Sequence, residues 1–128
     1  MTATALVFAG LAAVIHVYIF VLESVSWTSP RTRATFGTTE QEARDTKELA
    51  FNQGFYNLFL AAITAIGIVL VTSGHTDVGA ALVLSATGSM VLAGLVLIVS
   101  SPAKARASLV QLVPPAIAVV LLVIALVS

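Results

Sequence analysis

The sequence predicts an all-α membrane protein: a four-transmembrane-helix bundle with both termini on the non-cytoplasmic side and a cytoplasmic helical extension before the second span. Three observations predict it. Apolar residues fill 59% of the 128 positions and charged residues only 9%, far from the balance of a soluble domain. The apolar residues gather into four long blocks. All six basic residues fall in two of the three connections between those blocks.

Crossing roughly 30 Å of hydrocarbon takes about 20 mostly apolar residues, because every backbone amide in lipid must be satisfied inside its own helix. Four stretches qualify, approximately Ala3 to Val25, Leu49 to Val71, Val78 to Val99 and Ala107 to Val127, and together they make residues 1–128 a single domain. The first has no basic residue before it and is too long for the core of a signal peptide, so it is read as a retained helix. Pro30 and Pro102 follow the first and third spans, where proline commonly follows a helix end, and Gly74 breaks the chain between the second and third.

Arg31, Arg33, Arg44 and Lys47 lie in the first connection and Lys104 and Arg106 in the third, whereas the second has only His75 and Asp77. The positive-inside rule therefore puts the first and third connections in the cytoplasm and both termini outside. In the first connection Thr39 and Glu42 have the spacing of a capping box, which starts a helix that is expected to run on into the second span. Glu40 and Arg44 are spaced as a surface ion pair on that helix. Ala81, Ser85, Ser89 and Ala93 recur every four residues in the third span, a seam of small residues along which another span or a second copy of the chain can pack closely.

Composition also excludes chemistry. There is no cysteine, which removes disulfides, thiol nucleophiles and thiolate metal ligands. The basic residues form no contiguous run, so no nucleic-acid partner is expected. Only one histidine lies in a span, and the nearest carboxylate on its helix, Glu23, is seven residues away. That spacing suits neither a metal centre nor bis-histidine haem, and no cofactor is expected. Serine triads, phosphate loops and nucleotide fingerprints are absent from the sequence.

The polar residues inside the spans carry the functional argument, since a charged side chain there costs at least about 2.5 kcal/mol on insertion scales. His16 and Glu23 lie two turns apart on one face of the first span, with Trp27 a turn further. Glu48, Asn52 and Tyr56, with Gln53 and Asn57, form a polar stripe on the second. Gln111 and the Pro114–Pro115 pair lie in the matching half of the fourth, where proline leaves carbonyls without helical partners. If consecutive spans are antiparallel neighbours, these residues share one depth. The residues expected to bind a ligand are therefore His16, Glu23, Asn52, Gln53, Tyr56, Asn57 and Gln111, in a pocket open to the cytoplasm. Each also has a structural reading: Trp27 as an interfacial anchor, the amides as interhelical hydrogen-bond glue, Glu23 as a snorkelling carboxylate and His16 as a satisfied buried imidazole.

The series His16-x-Tyr18-Ile19, Leu22-Glu23, Trp27, Pro30-Arg31, Phe36-Gly37, Thr46-Lys47 and Leu49-Ala50-x-Asn52-Gln53-Gly54-x-Tyr56-Asn57, followed by Phe59-Leu60-Ala61, resembles a family of small bacterial membrane proteins catalogued as domain of unknown function 1304. Gln111 with Pro114, or Pro115 with Ala116, resembles that family's second motif. The third span around Ala93 to Ser101 is more uniformly aliphatic than the family pattern. The resemblance implies a bacterial plasma-membrane protein and picks out the same polar residues, but implies no activity. Three functions are compatible with the sequence: binding or transport of a small polar or amphipathic ligand, an accessory subunit of a membrane complex, and a membrane-embedded acid–base enzyme using His16 and Glu23 on a lipid-like substrate.

Overall fold

The computed structural model describes residues 1–128 and is helical throughout, with no strand. Helix α1 spans Thr2–Phe20 and widens into a single π-helical stretch over Val21–Val25. Two short helices follow, α2 (Pro30–Phe36) and α3 (Glu40–Asp45), and then the long helices α4 (Lys47–Thr72) and α5 (Thr76–Ser100). A 3₁₀ turn over Pro102–Lys104 leads into α6 (Ala105–Val127). Four of these segments, of 24 to 26 residues and mean hydropathy 2.1 to 2.7, are long and apolar enough to cross a membrane. At 1.5 Å per residue each is about 36 to 39 Å long, more than the hydrocarbon thickness of roughly 30 Å.

The long helices form a four-cornered bundle in which α1 packs against α4 and α6, and α5 packs against the same two from the opposite corner. Consecutive long helices are antiparallel neighbours. Both termini and the α4–α5 turn therefore lie at one end, and the two remaining connections, with all six basic residues, lie at the other. These are called the terminal end and the basic end below.

Side chains are distributed as expected for helices whose surroundings are apolar. The interior is built of small residues: Ala5, Ala9, Ala80 and Ala118, with Val83 and Leu122, make the core of the terminal half. Large residues such as Val7, Leu49, Val69 and Val99 point outward. In water this arrangement forfeits hydrophobic burial, whereas in lipid it trades nothing, because packing and hydrogen bonding drive helix association there. Buried hydroxyls bond back to their own helices, Thr64 to the Leu60 carbonyl at 2.8 Å and Thr87 to that of Val83 at 2.6 Å.

Two glycines fix the α4–α5 crossing. A Cβ at Gly79 would lie 2.6 Å from the Val71 nitrogen and 2.7 Å from the Gly67 carbonyl, and one at Gly67 would lie 2.8 Å from the Gly79 carbonyl. Between α5 and α6, the Ser108 hydroxyl donates to the Gly94 carbonyl at 2.8 Å. The seam of α5 inside the bundle thus uses Gly79, Ala80, Val83, Thr87 and Gly94. The Ala81, Ser85, Ser89 and Ala93 stripe faces outward on the same helix.

The basic end departs from the sequence expectation in two places. Pro30 does not merely follow a helix: it opens α2, with Ser29 as N-cap accepting from the Thr32 amide at 3.2 Å, and the helix closes on Gly37 at φ 67°. A helix of seven residues is too short to show a hydrophobic period. The capping box at Thr39 and Glu42 forms, but α3 does not run on into the second span. Thr46, at φ −102° and ψ 6°, separates α3 from α4, and its side chain is held on the α3 side and by Trp27. Its hydroxyl donates to the Glu42 carbonyl at 2.7 Å and accepts from the Trp27 indole at 3.1 Å.

Candidate ligand site

At the basic end α1 loosens into its π turn, a local irregularity that frequently marks functional positions. The wider turn aims two consecutive side chains at α4. The Glu23 carboxylate accepts a hydrogen bond from the Asn57 amide at 2.8 Å, and the Ser24 hydroxyl donates to the Phe51 carbonyl at 2.8 Å. The Asn57 amide also donates to the Gln53 carbonyl, at 3.2 Å. Gly54 makes room for this contact: a Cβ there would lie 2.1 Å from the Ser24 hydroxyl and 3.0 Å from its nitrogen. Phe20 adds an edge-on contact with Phe55, ring centres 5.1 Å apart.

His16 is buried on the inward face of α1, below Ala5, Ala9 and Ala12. Its Nδ1 is 2.8 Å from the Ala12 carbonyl, which can only accept, so that nitrogen carries a proton. His16 and Glu23 thus have separate partners.

The remaining expected residues spread out. Asn52, Gln53 and Tyr56 lie on the exposed face of α4, where Asn52 bonds back to the Glu48 carbonyl at 3.3 Å and Tyr56 is 66% exposed. Trp27 is half-buried, joined to Thr46 and packed on Phe36 with ring centres 5.1 Å apart. Gln111 lies on a different side of α1 from the Glu23–Asn57 link, in the wall of a cavity of about 560 Å³.

That cavity lies at the basic end between α1 and α6. Ile15, Tyr18, Ile19 and Leu22 of α1 form one wall, Val110 and Gln111 of α6 the other, with Leu97 of α5 beside them. The C-terminal turn of α2, residues 34–37, forms a third side, and Lys104, Arg106 and Ala107 complete it. Its volume falls within the roughly 300 to 1,000 Å³ of small-molecule sites. Tyr18 is 48% and Val110 63% exposed, so the cavity reaches the outer surface of the bundle. Prolines 114 and 115 carry no N–H, so the Val110 and Gln111 carbonyls lack their helical donors.

Electrostatics at this end is one-sided around the cavity. The ion pair of the chain joins Arg44 to Glu40 on α3, and Lys104 and Arg106 have no carboxylate partner. Glu42, outside the spans, is held below the usual carboxylate range by the backbone and side-chain hydrogen bonds of Thr39, with a smaller contribution from Lys104. No acidic residue lines the cavity. Nowhere in the chain do three metal-ligating side chains meet.

Sequence reasoning missed Ser24, Gly54, Tyr18, Lys104 and Arg106. Gly54 had a signal, a glycine within a polar helical stripe, where it is costly unless another backbone approaches. The two cations were read only as markers of orientation.

The fold and this site define a small, all-helical protein with four span-length helices and a ligand-sized cavity at its basic end. Residues 10–123 match the family described as "Protein of unknown function (DUF1304)", and the chain belongs to that family. No curated protein and no solved structure matches it.

Proposed function

We propose that the protein lies in a bacterial plasma membrane, with its basic end in the cytoplasm and both termini outside, and binds a small amphipathic ligand in the cavity beside Gln111. The orientation is supported by the placement of all six basic residues at one end of the bundle. The single observation that carries the binding reading is a ligand-sized cavity with an aliphatic body and a few polar groups, Gln111 among them. Of the residues expected from sequence, Gln111 touches the ligand. Glu23 and Asn57 act one residue behind the wall: their link fixes the π turn and so the position of Leu22. The close α4–α5 crossing at the terminal end favours binding over free passage.

Trp27, the one tryptophan, packs at a tilt against Phe36 in the α2 side of the cavity and reports on occupancy. In phosphatidylcholine nanodiscs, an amphiphile with a brominated alkyl chain is expected to quench its fluorescence saturably. Ala107→Phe, which puts an aromatic ring into the cavity, should weaken the saturable part. Quenching that stays linear in wild type, or is unchanged by Ala107→Phe, would sink the reading.

A second reading, an accessory subunit, is favoured by the outward polar side chains Asn52 and Gln53 and by the outward Ala81, Ser85, Ser89 and Ala93 stripe, which would meet a partner or a second copy. A stoichiometric partner, or a dimer mass in mild detergent, would support it. A monodisperse monomer with a saturable cavity would argue against it.

A further inference from the structure

We propose that the cavity selects amphiphiles with an anionic head, such as a carboxylate or phosphate on an alkyl chain, which Lys104 and Arg106 hold while the chain lies along α1. The inference rests on the binding reading above and names the class of ligand.

The cavity wall is asymmetric in its chemistry. Ten of its fifteen residues are hydrophobic, and the aliphatic Ile15 and Ile19, one turn apart on α1, are followed by Leu22 in the π turn. Lys104 and Arg106 are the charged members, and they sit on the 3₁₀ turn and first turn of α6, at the basic end of the cavity. Gln111 lies five residues beyond Arg106, about 7.5 Å deeper along α6. A ligand entering head-outward would place an alkyl chain against the aliphatic face and its head between two cations.

The two cations are free to do this. Neither is paired with a carboxylate of the chain. The acidic group closest in influence to Lys104 is Glu42, whose carboxylate accepts the Thr39 amide at 2.8 Å in its capping box and forms no ion pair. Next to the α2 residues of the cavity in sequence, though not in its wall, Arg33 has a buried Nε without a hydrogen-bond partner. A cationic head would meet two like charges here. A neutral head would leave both lining cations without a counter-charge in a partly apolar wall, whereas an anion takes charge-assisted hydrogen bonds from them.

The test compares dodecyl phosphate with dodecyltrimethylammonium and a neutral dodecyl glycoside on the full chain in phosphatidylcholine nanodiscs. Each competes against the brominated reporter, with Trp27 fluorescence as readout. Dodecyl phosphate is expected to compete at least about tenfold better than either of the others. Lys104→Gln and Arg106→Gln should each weaken it about tenfold, the scale of one charge-assisted hydrogen bond, while leaving the glycoside unchanged. Lys104→Arg should largely restore the preference.

Equal competition by all three heads, or a phosphate affinity indifferent to both glutamine variants, overturns the anionic-head inference and leaves amphiphile binding standing. Failure of the reporter itself to bind overturns both. The source of the head is read in a final arm. If replacing part of the phosphatidylcholine by phosphatidylglycerol displaces dodecyl phosphate, the site takes a bilayer lipid; if it does not, the site takes a free single-chain amphiphile.

Discussion

At the terminal end of the bundle α4 and α5 meet backbone to backbone at Gly67 and Gly79, around a core of alanines closed by Val83 and Leu122. At the basic end the contacts with α4 are made chiefly through side chains, Glu23 to Asn57, Ser24 to the Phe51 carbonyl and Trp27 to Thr46, with Gly54 making room for Ser24. The first end has little tolerance for volume where its helices cross. The second has a cavity and polar connections, the arrangement that function generally requires of a fold at some cost in packing. Holding helices with hydrogen bonds leaves their spacing adjustable, while holding them by glycine contact does not.

The largest expected effect tests the terminal end. Gly79→Leu would put a side chain into the Val71 and Gly67 backbones, which cannot yield as a side chain tip would, so a loss of about 3 kcal/mol or more is expected. Ala81→Leu, two residues away on the outward face, should change stability by less than about 0.5 kcal/mol. Thermal unfolding in mild detergent, followed by helical circular dichroism, measures both. Equal losses for the two variants would mean that the outward stripe is itself packed, as in a dimer, and would remove the contrast between the two faces of α5.

Much of this was legible in the sequence. Four spans and their antiparallel order follow from hydropathy and charge placement, because the backbone has few options in lipid. The capping box at Thr39 was legible since it depends on two residues three apart. The direction in which a small-residue stripe faces was not legible, because α5 carries small residues on two faces: Ala81, Ser85, Ser89 and Ala93 on one, Gly79, Ala80, Ala86 and Gly94 on the other. Nor was the π turn. It shifts side chains after Phe20 around the helix, so a face drawn from His16 to Glu23 at normal helical pitch does not continue as one face. Depth matching sets Glu23 level with the Glu48 to Gln53 turn and Asn57 level with His16, whereas it is Glu23 that Asn57 meets. Depth alone could not separate Gln111, which shares their level but lies on the other side of α1.

A medium effect is expected where the two ends differ in kind. Gly54→Ala brings a methyl group 2.1 Å from the Ser24 hydroxyl, costing about 1 to 3 kcal/mol. Here the obstruction is chiefly a side chain. Combining it with Ser24→Ala should recover part of the loss, so that the double variant is more stable than the sum of the singles. Gly79→Leu has no such second-site relief, because its obstruction is backbone. Strict additivity of Gly54→Ala and Ser24→Ala would show that the π turn is as rigid as the glycine crossing.

The smallest expected effect belongs to the link between Glu23 and Asn57. Asn57→Leu removes the amide that Glu23 accepts from and leaves a partly buried carboxylate without that donor, while Glu23→Gln keeps an oxygen able to accept. Interhelical hydrogen bonds in membranes average about 0.6 kcal/mol and reach about 1.7, so Asn57→Leu should cost between about 1 and 2 kcal/mol and Glu23→Gln less. The more telling readout is the cavity. Leu22 lines it one residue before Glu23, so a slackened π turn should weaken amphiphile binding in Asn57→Leu by more than its stability loss shows at room temperature, where the protein remains folded. If Asn57→Leu lowers the unfolding temperature yet leaves binding untouched, the link is only glue, and the two ends of the bundle differ in how they are fastened without that difference reaching the ligand.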